Sequence, residues 1–491
     1  MLKSFRQLLT LRVPVFLVLV LVLDSPIYGG NLAVQLPDIG SAGSSTLTPS
    51  QERQLGQEFM HNIRQNLKLI DDPFAVSYLQ SLADRLQPKL GESELNITVF
   101  LVDDPSINAF AGPGGYIGVH AGLVLAARHE GELASVLAHE IAHVSQRHLV
   151  RSFETGQKMS LSSMGAIIAG LILGKNNPQI SEAVIASTVA GNAQQQLTYS
   201  RTHEQEADRV GLEMLANAGY DPRMMPAFFD ILQARHRTVG SSAPEFLRTH
   251  PLTVARMADT RNRAMQYPEQ LQIDDSYFQL MQGRVANLTE KTGPNPFTQT
   301  SQSEHISKEA NQYYLCLAAA KASHYSQARK YIGPLVKTGD QRILFYYSAA
   351  NIEMADNHPE KALGLLKNAL VIFPGNVPLI ELQARALLQL EKPQQAFEIL
   401  ESALRQQPEQ TYLYQTYAIA ASKVGNYAEG YRALGEQQFL LGNLHQAIDY
   451  LKQALKSGDI DKYQRISIEA RLEELKSETL TREQNGKEKS E

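Results

Sequence analysis

The chain has 491 residues, of which 43% are apolar and 20% are charged. This composition is typical of a folded globular protein and excludes collagen-like and largely disordered chains. The net charge is −5 with both signs well mixed, which argues against nucleic acid as a partner. Because Cys316 is the only cysteine, an intramolecular disulfide and a cysteine-based zinc site are excluded. Any bound metal must therefore be held by histidines and carboxylates.

Residues 1–29 are predicted to be a signal peptide. Three basic residues precede an apolar run from Val13 to Leu23, which is too short to span a bilayer. An uncleaved membrane anchor is the alternative interpretation of the same residues. We therefore expect an exported protein that resides in the periplasm of a Gram-negative bacterium.

Two parts with different patterns follow the signal. The first combines helical patterns with strand candidates at Ile97–Val102 and Tyr116–Val119, which predicts an α+β domain with a small sheet. The second part is helical, so the whole chain is predicted to be mostly α. The predicted boundaries are 50–270 for the first domain, 271–308 for a polar linker region, 309–475 for the second domain and 476–491 for a charged tail that is expected to fray.

The helical second domain carries an internal repeat. Ala328, Ala362 and Ala396 are spaced by 34 residues, and Pro374 and Pro408 are also 34 apart. This period, with a small residue in the second helix of each unit, is typical of tetratricopeptide (TPR) repeats. We expect about four repeats and some extra helices, stacked as a solenoid with a concave binding face. Helical hairpins without a superhelix are the alternative.

The chemistry of the first domain is predicted to lie in the H-E-x-x-H motif formed by His139, Glu140 and His143. The two histidines are four residues apart, so a helix presents both imidazoles on one face, where they can bind one zinc ion. Glu140 lies beside the metal and can take a proton from zinc-bound water. A solvated helix with two surface histidines is the alternative, and apolar Ala138 and Ile141 argue against it.

A catalytic zinc needs a third protein ligand, and the segment after residue 199 offers carboxylates for this role. Glu204 and Asp208 are four residues apart, so a helix presents them together. We predict that Glu204 is the ligand and that Asp208 accepts the free N–H of a ligand histidine. Glu206 is the alternative ligand, and His203 is expected to point elsewhere.

These motifs carry a resemblance to a known family. H-E-x-x-H followed by the S-R-x-x-E-x-E-A-D segment Ser200–Asp208 resembles the gluzincin metallopeptidases of the CAAX-prenyl-endopeptidase and HtpX superfamily. The segment Asn108–Gly115 is similar to that family's strand and turn before the zinc helix, and His250–Arg256 matches its H-P-x-x-x-x-R element. Joined to an exported TPR half, the chain is similar to the periplasmic β-barrel assembly-enhancing proteases.

The resemblance implies a zincin-type metallopeptidase domain followed by an all-α TPR solenoid. It implies one zinc per chain, with His139, His143 and Glu204 as ligands. Glu140 and Asp208 would be the catalytic pair, as general base and supporting carboxylate. The implied substrates are misassembled or stalled outer-membrane β-barrel proteins, and the implied partner of the TPR half is the β-barrel assembly machinery. Chaperone activity would accompany the proteolysis.

One strand is a candidate for binding substrate. Its residues are Tyr116, Ile117, Gly118 and Val119. An extended substrate would pair with this strand by adding itself to the edge of the sheet. An ordinary core strand is the alternative.

Two further segments have open roles. His250 precedes a proline and is expected at a helix or loop boundary, where it either occupies the fourth zinc position and keeps the enzyme latent, or stabilises the oxyanion, or is a surface residue. The uncharged segment Met164–Gly174 is either a buried helix or a flap that contacts apolar chains or a membrane peripherally.

Two functions of different classes remain open on the sequence alone. The first is a zinc endopeptidase whose TPR half selects clients and docks to the assembly machinery. The second is a chaperone or scaffold in which the metallopeptidase domain is latent.

Overall fold

The computed structural model describes residues 48–87, 96–154, 200–238, 245–269, 273–289, 295–298, 306–337 and 342–487. The predicted signal peptide and the apolar segment Met164–Gly174 lie outside these ranges. Within them, no helix combines the length and the apolarity that are needed to cross a membrane. The predicted fold class is confirmed: a small sheet lies among helices in the first part, and helical repeats follow.

The first part packs helices against a three-stranded sheet. In chain order its elements are α1 (Pro49–Asn66), α2 (Pro73–Leu86), β1 (Thr98–Val102), β2 (Ala109–Ala111), a 3₁₀ turn (Pro113–Gly115), β3 (Tyr116–His120), α3 (Ala121–Ala126), α4 (Glu130–Ser145), α5 (His148–Glu154), α6 (Arg201–Asn217), α7 (Met224–Thr238), α8 (Glu245–Thr249), α9 (Val254–Ala264) and α10 (Ser276–Leu288).

The strand order is β1-β3-β2, so β3 is the central strand. It runs parallel to β1 and antiparallel to β2, and Ile117 and Val119 are paired on both sides. The prediction that Tyr116–Val119 pairs with a substrate is therefore wrong, because neither edge of this strand is open. The alternative, a core strand, is the one the sheet adopts.

The two outer strands differ in how their free edges are treated. On β1, the side-chain amide of Gln80 donates to Ile97 O and accepts from Val99 N, both at 2.9 Å. The backbone of Ile70 continues this cover by donating to Leu101 O. The outer edge of β1 is therefore closed to further strands.

The outer edge of β2 is paired with no strand among the described residues, although Phe246 N donates to Ile107 O at 3.3 Å just before it. Asn108 O and Gly112 N bond to β3, which turns the backbone N–H and C=O groups of Ala109 and Ala111 away from it. Among the described residues, no hydrogen bond satisfies these outward groups, although Ala109 is fully buried. A buried backbone row without partners is a site that an added strand can complete.

The second part consists of four consecutive helical hairpins and two further helices, within residues 306–337 and 342–487. In chain order these are α11 (Lys308–Lys321), α12 (Tyr325–Lys337), α13 (Ile343–Ala355), α14 (Pro359–Ile372), α15 (Val377–Gln389), α16 (Pro393–Gln406), α17 (Thr411–Lys423), α18 (Tyr427–Leu440), α19 (Leu444–Lys456) and α20 (Lys462–Lys487). The repeat alanines Ala328, Ala362 and Ala396 lie in the second helix of successive hairpins and are fully buried. Their small size lets the two helices of each hairpin pack closely.

Two segments that are expected to be irregular contain helix within the described residues. The region 271–308, predicted as a linker, contains α10, whose Phe278, Leu280 and Met281 are buried. The tail predicted to fray from residue 476 continues α20 to Lys487, and Lys476 pairs with Glu473 at 2.6 Å. Helical periodicity outweighs polar composition in both segments.

The two parts share one core. Residues 46–491 form a single compact unit, and one apolar cluster extends from Ile70 on the peptidase side to Ile352 in α13. The predicted domain boundaries therefore do not coincide with a gap in the packing.

Candidate metal centre

Helix α4 positions the H-E-x-x-H motif in the interior. It lies under β2 and packs on α6, and His139, Glu140 and His143 are all buried. Helix α6 begins at Ser200, whose hydroxyl accepts from His203 N and caps the helix. This start presents Glu204 in the first turn of α6, directly facing the two histidines.

Four donor atoms converge at this point. His139 Nε2 lies 3.0 Å from His143 Nε2 and 3.3 Å from His250 Nδ1. Glu204 Oε1 lies 2.9 Å from His250 Nδ1 and 3.4 Å from His143 Nε2. The ligand atoms of these four buried residues are all within 4.8 Å of one another.

This donor set fits a zinc ion. Donors about 2.0–2.1 Å from one ion lie about 3.3 Å apart in a regular tetrahedron, close to the separations found here. Burial lowers the pKa of His139, but Asp208 and Glu204 outweigh burial and raise that pKa to about 9. Two carboxylates therefore lie close to the histidines, and three imidazoles with one carboxylate are donors that zinc prefers.

Glu140 lies beside this cluster with no other evident task. Its side chain is fully buried, and neither carboxylate oxygen has a hydrogen bond to a described residue. Glu140 Oε1 is 3.4 Å from His250 Nε2, which places it at the edge of the donor set. A buried carboxylate without hydrogen bonds is costly, and its position beside the donor set suits it to exchange a proton there.

Asp208 holds the outer face of the site together with Arg256. Asp208 Oδ1 lies 3.0 Å from His139 Nδ1, and Arg256 binds the same carboxylate through two nitrogens at 2.6 and 2.8 Å. Burial raises the pKa of Asp208, but Arg256 outweighs it and lowers that pKa, so the carboxylate stays charged. A charged Asp208 holds the proton of His139 on Nδ1 and leaves Nε2 free for a metal.

Arg256 also reaches two other parts of the site. Its Nη1 is 2.5 Å from Glu204 Oε2 and 3.1 Å from the backbone oxygen of Pro251, which follows His250. Sequence reasoning matched Arg256 to a family element but gave it no role. The Arg256 guanidinium thus contacts the candidate ligand Glu204, the Asp208 carboxylate beside His139, and the backbone next to His250.

His250 is part of the cluster and not of the surface. It follows α8 directly, as the adjacent proline predicts, and it is only 1% exposed. The Phe246 ring stacks on the His250 ring with centroids 4.6 Å apart. The prediction of a surface histidine is therefore wrong, while the fourth-ligand and oxyanion roles both remain compatible with this position.

A second group of histidines lies behind His143. His148 Nδ1 is 2.9 Å from His143 Nδ1, and His148 Nε2 is 3.1 Å from Glu206 Oε2. Glu206 is partly exposed and outside the donor set, so it is not placed as a ligand. His203 stacks on His148 at 4.4 Å, also outside the donor set. Sequence reasoning missed His148, whose only signal is its position five residues after His143.

A large cavity lies between the first part and the repeats, beside the core that they share. Its volume is about 1290 Å³, and its lining includes Asp71, Tyr78, Thr98, Tyr412 and Gln415. On one side, His61 Nδ1 lies 3.0 Å from Asn443 Oδ1, and Arg64 donates to Leu441 O at 2.7 Å. The turn between α18 and α19 therefore folds back onto α1.

The comparisons with known proteins agree with this architecture. Residues 75–264 match Peptidase family M48, and residues 353–418 match the tetratricopeptide repeat. The fold and site thus define a metalloprotease with a TPR half.

Relatives that match almost the whole chain identify a narrower family within this class of protein. The chain is 33% identical over 448 residues to the beta-barrel assembly-enhancing protease of Escherichia coli (strain K12), covering 90% of this chain and 91% of that one. It is 34% identical over 455 residues to the putative beta-barrel assembly-enhancing protease of Vibrio cholerae, covering 92% and 94%. The mitochondrial metalloendopeptidase OMA1 of Bos taurus is 33% identical over 33% of this chain and 31% of its own. The chain belongs to the family of the β-barrel assembly-enhancing proteases.

Proposed function

We propose that this protein is a zinc endopeptidase of the periplasm that cleaves misassembled or stalled outer-membrane β-barrel proteins. The observation that carries the proposal is the buried Glu140 carboxylate, which has no hydrogen bond and lies beside four convergent donors. The names of the full-length relatives and the export signal predicted for residues 1–29 support the client class and the compartment.

The residues divide the work as follows. His139, His143 and Glu204 hold one zinc ion, and the chemistry that zinc supplies when bound is polarisation of the peptide carbonyl and a lowered pKa of the attacking water. Glu140 takes the proton of that water and passes it to the leaving amine. Asp208 keeps His139 in the tautomer that binds metal.

The open edge of β2 is the proposed binding site for the scissile segment. An extended client chain would pair antiparallel or parallel with the outward groups of Ala109 and Ala111 and so satisfy them. Helix α4 packs directly against β2, so a chain on this edge passes the motif helix. Unfolded β-barrel segments, which are rich in strand-forming sequence, suit such a site.

The TPR half is proposed to bind clients and the β-barrel assembly machinery. The cavity between the peptidase part and the repeats is lined by tyrosine and glutamine side chains, which bind extended peptides through both apolar contact and hydrogen bonds. Its position lets one client chain contact the repeats and the peptidase part together.

A second candidate function is that of a chaperone or scaffold with a latent peptidase. The observation that favours it is His250, whose Nδ1 supplies a fourth donor where a catalytic zinc keeps an open position. Both functions coexist if clients move His250 away.

The test compares wild type with Glu140→Gln and with Glu213→Gln, a control on the exposed face of α6. All three are measured for zinc content by mass spectrometry, for cleavage of an unfolded β-barrel protein, and for suppression of its aggregation. We expect one zinc per chain in each protein. Cleavage should fall at least about 100-fold only in Glu140→Gln, because base and ligand roles are separate.

Full cleavage by Glu140→Gln would contradict the proposed mechanism. Wild type that suppresses aggregation but never cleaves would favour the scaffold function. Loss of zinc on His139→Ala, His143→Ala or Glu204→Ala completes the assignment of the ligands.

A further inference from the structure

The chain His143–His148–Glu206 fixes the proton positions of two histidines. A neutral imidazole has one donor nitrogen and one acceptor nitrogen, whereas a carboxylate only accepts. Glu206 Oε2 is 3.1 Å from His148 Nε2, so this nitrogen carries the proton and donates. His148 Nδ1 is then the acceptor, and it lies 2.9 Å from His143 Nδ1.

This arrangement of protons determines which nitrogen of His143 is free to bind a metal. His143 must donate its Nδ1 proton to His148, which leaves a lone pair on His143 Nε2. This nitrogen is the one that faces His139 Nε2 and Glu204 Oε1, at 3.0 and 3.4 Å. At His139 the corresponding neighbour is Asp208, whose Oδ1 lies 3.0 Å from Nδ1.

The backbone is shaped to bring His148 into this position. Arg147 has a left-handed conformation with φ of 52°, which is strained for a non-glycine residue. Glu52 on α1 holds the Arg147 side chain at 3.0 Å. This turn ends α4, starts α5 at His148 and folds the His148 ring back onto α4.

His148 is fully buried, while Glu206 and Arg151 at the far end of the chain are partly exposed. Arg151 Nη1 lies 3.1 Å from Glu206 Oε2 and orients that carboxylate. This row of hydrogen-bonded side chains therefore links the buried candidate ligand His143 to the Glu206–Arg151 ion pair at the surface.

We propose that His148, backed by Glu206, is a positioning residue that sets the tautomer and orientation of His143 for metal binding. The inference rests on the metal site proposed above, in which His143 is a ligand. It assigns a role to two residues that the ligand set leaves unused. Partners of this kind typically change metal affinity 10- to 100-fold when they are removed.

The test uses two substitutions of His148 in the full-length protein. His148→Leu fills the space but removes the acceptor, whereas His148→Asn places an amide oxygen near the position of Nδ1 and keeps it. The control is His203→Ala, which removes the ring stacked on His148 and leaves the hydrogen-bonded chain intact. Zinc affinity is measured by competition with a chelating dye, and the His143 tautomer in metal-free protein by ¹⁵N NMR.

We expect His148→Leu to weaken zinc binding 10- to 100-fold and to lose the single Nδ1–H tautomer of His143. His148→Asn should recover most of the affinity and the tautomer, and His203→Ala should match wild type within about threefold. Zinc affinity and tautomer unchanged in His148→Leu would overturn the inference. Equal losses in the Leu and Asn variants would also overturn it, because the role would then be packing alone. Wild type that binds no zinc would instead refute the metal site itself.

Discussion

His250 lies between the candidate ligands and the candidate base. Its Nδ1 faces Glu204 and His139, while its Nε2 faces Glu140 at 3.4 Å. One ring therefore contacts both the candidate ligands and the candidate base. Arg256 at Pro251 and the stacked Phe246 ring hold this position from both sides.

At this residue we expect His250→Ala to raise cleavage of unfolded substrate and self-cleavage, with zinc retained by the other three ligands. The physical reason is that removal of the fourth donor opens a coordination position for water. Cleavage rate and zinc content are measured together, beside His236→Ala, a control at an exposed histidine of α7. Lost cleavage with zinc retained would favour an oxyanion role, and no change in either quantity would leave His250 without a part in the site.

The residues of the site differ in how visible they are in sequence. His139, Glu140 and His143 follow from spacing on one helix, and the Glu204–Asp208 pair follows from the same rule on another. His148 does not, because its contact depends on the left-handed turn at Arg147. Polar residues of such a turn have no periodic signature, so only coordinates reveal what they face.

At the scale of single elements, the sequence predicts the repeat helices but not which strand lies at the edge of the sheet. The 34-residue period located the helices through buried alanines and the prolines that follow two of them. The strand β2 has three residues, too few for an alternating pattern, and the order of strands in a sheet is a tertiary property. The sequence therefore predicts β3 at an edge of the sheet, whereas in the structure β2 lies at that edge and β3 is the central strand.

The repeat alanines yield a stability prediction. Ala396→Leu in α16 should lower the free energy of unfolding by about 1–3 kcal/mol, because the larger side chain is forced into a fully packed helix interface. Chemical denaturation followed by circular dichroism measures the change. The neighbouring Gln395→Leu, on the exposed face, should stay within about 0.5 kcal/mol. Equal effects at both positions would contradict close packing at the repeat alanine.

For the whole molecule, one buried polar network that includes an ion pair joins the two parts. Arg284 of α10 binds both oxygens of Asp72 at 2.7 Å, and Asp72 also caps α2. Arg284 Nη1 donates to Tyr313 in α11, whose hydroxyl lies 3.0 Å from Ser348 in α13. The peptidase part and the first repeats therefore depend on one polar network inside one core.

We expect Arg284→Ala to lower the free energy of unfolding by about 3–5 kcal/mol, because it leaves the Asp72 charge buried and unpaired. Zinc release and loss of helicity should then move together to lower denaturant, since the parts share a core. Arg385→Ala is the control, as its pair with Glu381 is long and half exposed and should be worth less than about 1 kcal/mol. Two separate transitions in wild type would contradict the shared core. By the same argument, a chain cut near residue 300 would expose the buried face of α10.

The closed edge of β1 has a consequence for a protein that is proposed to handle unfolded strands. Gln80 and the segment around Ile70 leave the sheet with one open side, on β2. The sheet can therefore pair with at most one extended chain, on the side of β2. A sheet open on both sides would crosslink two clients and seed their stacking, whereas a client strand on β2, as proposed above, would find no second free edge among the described strands.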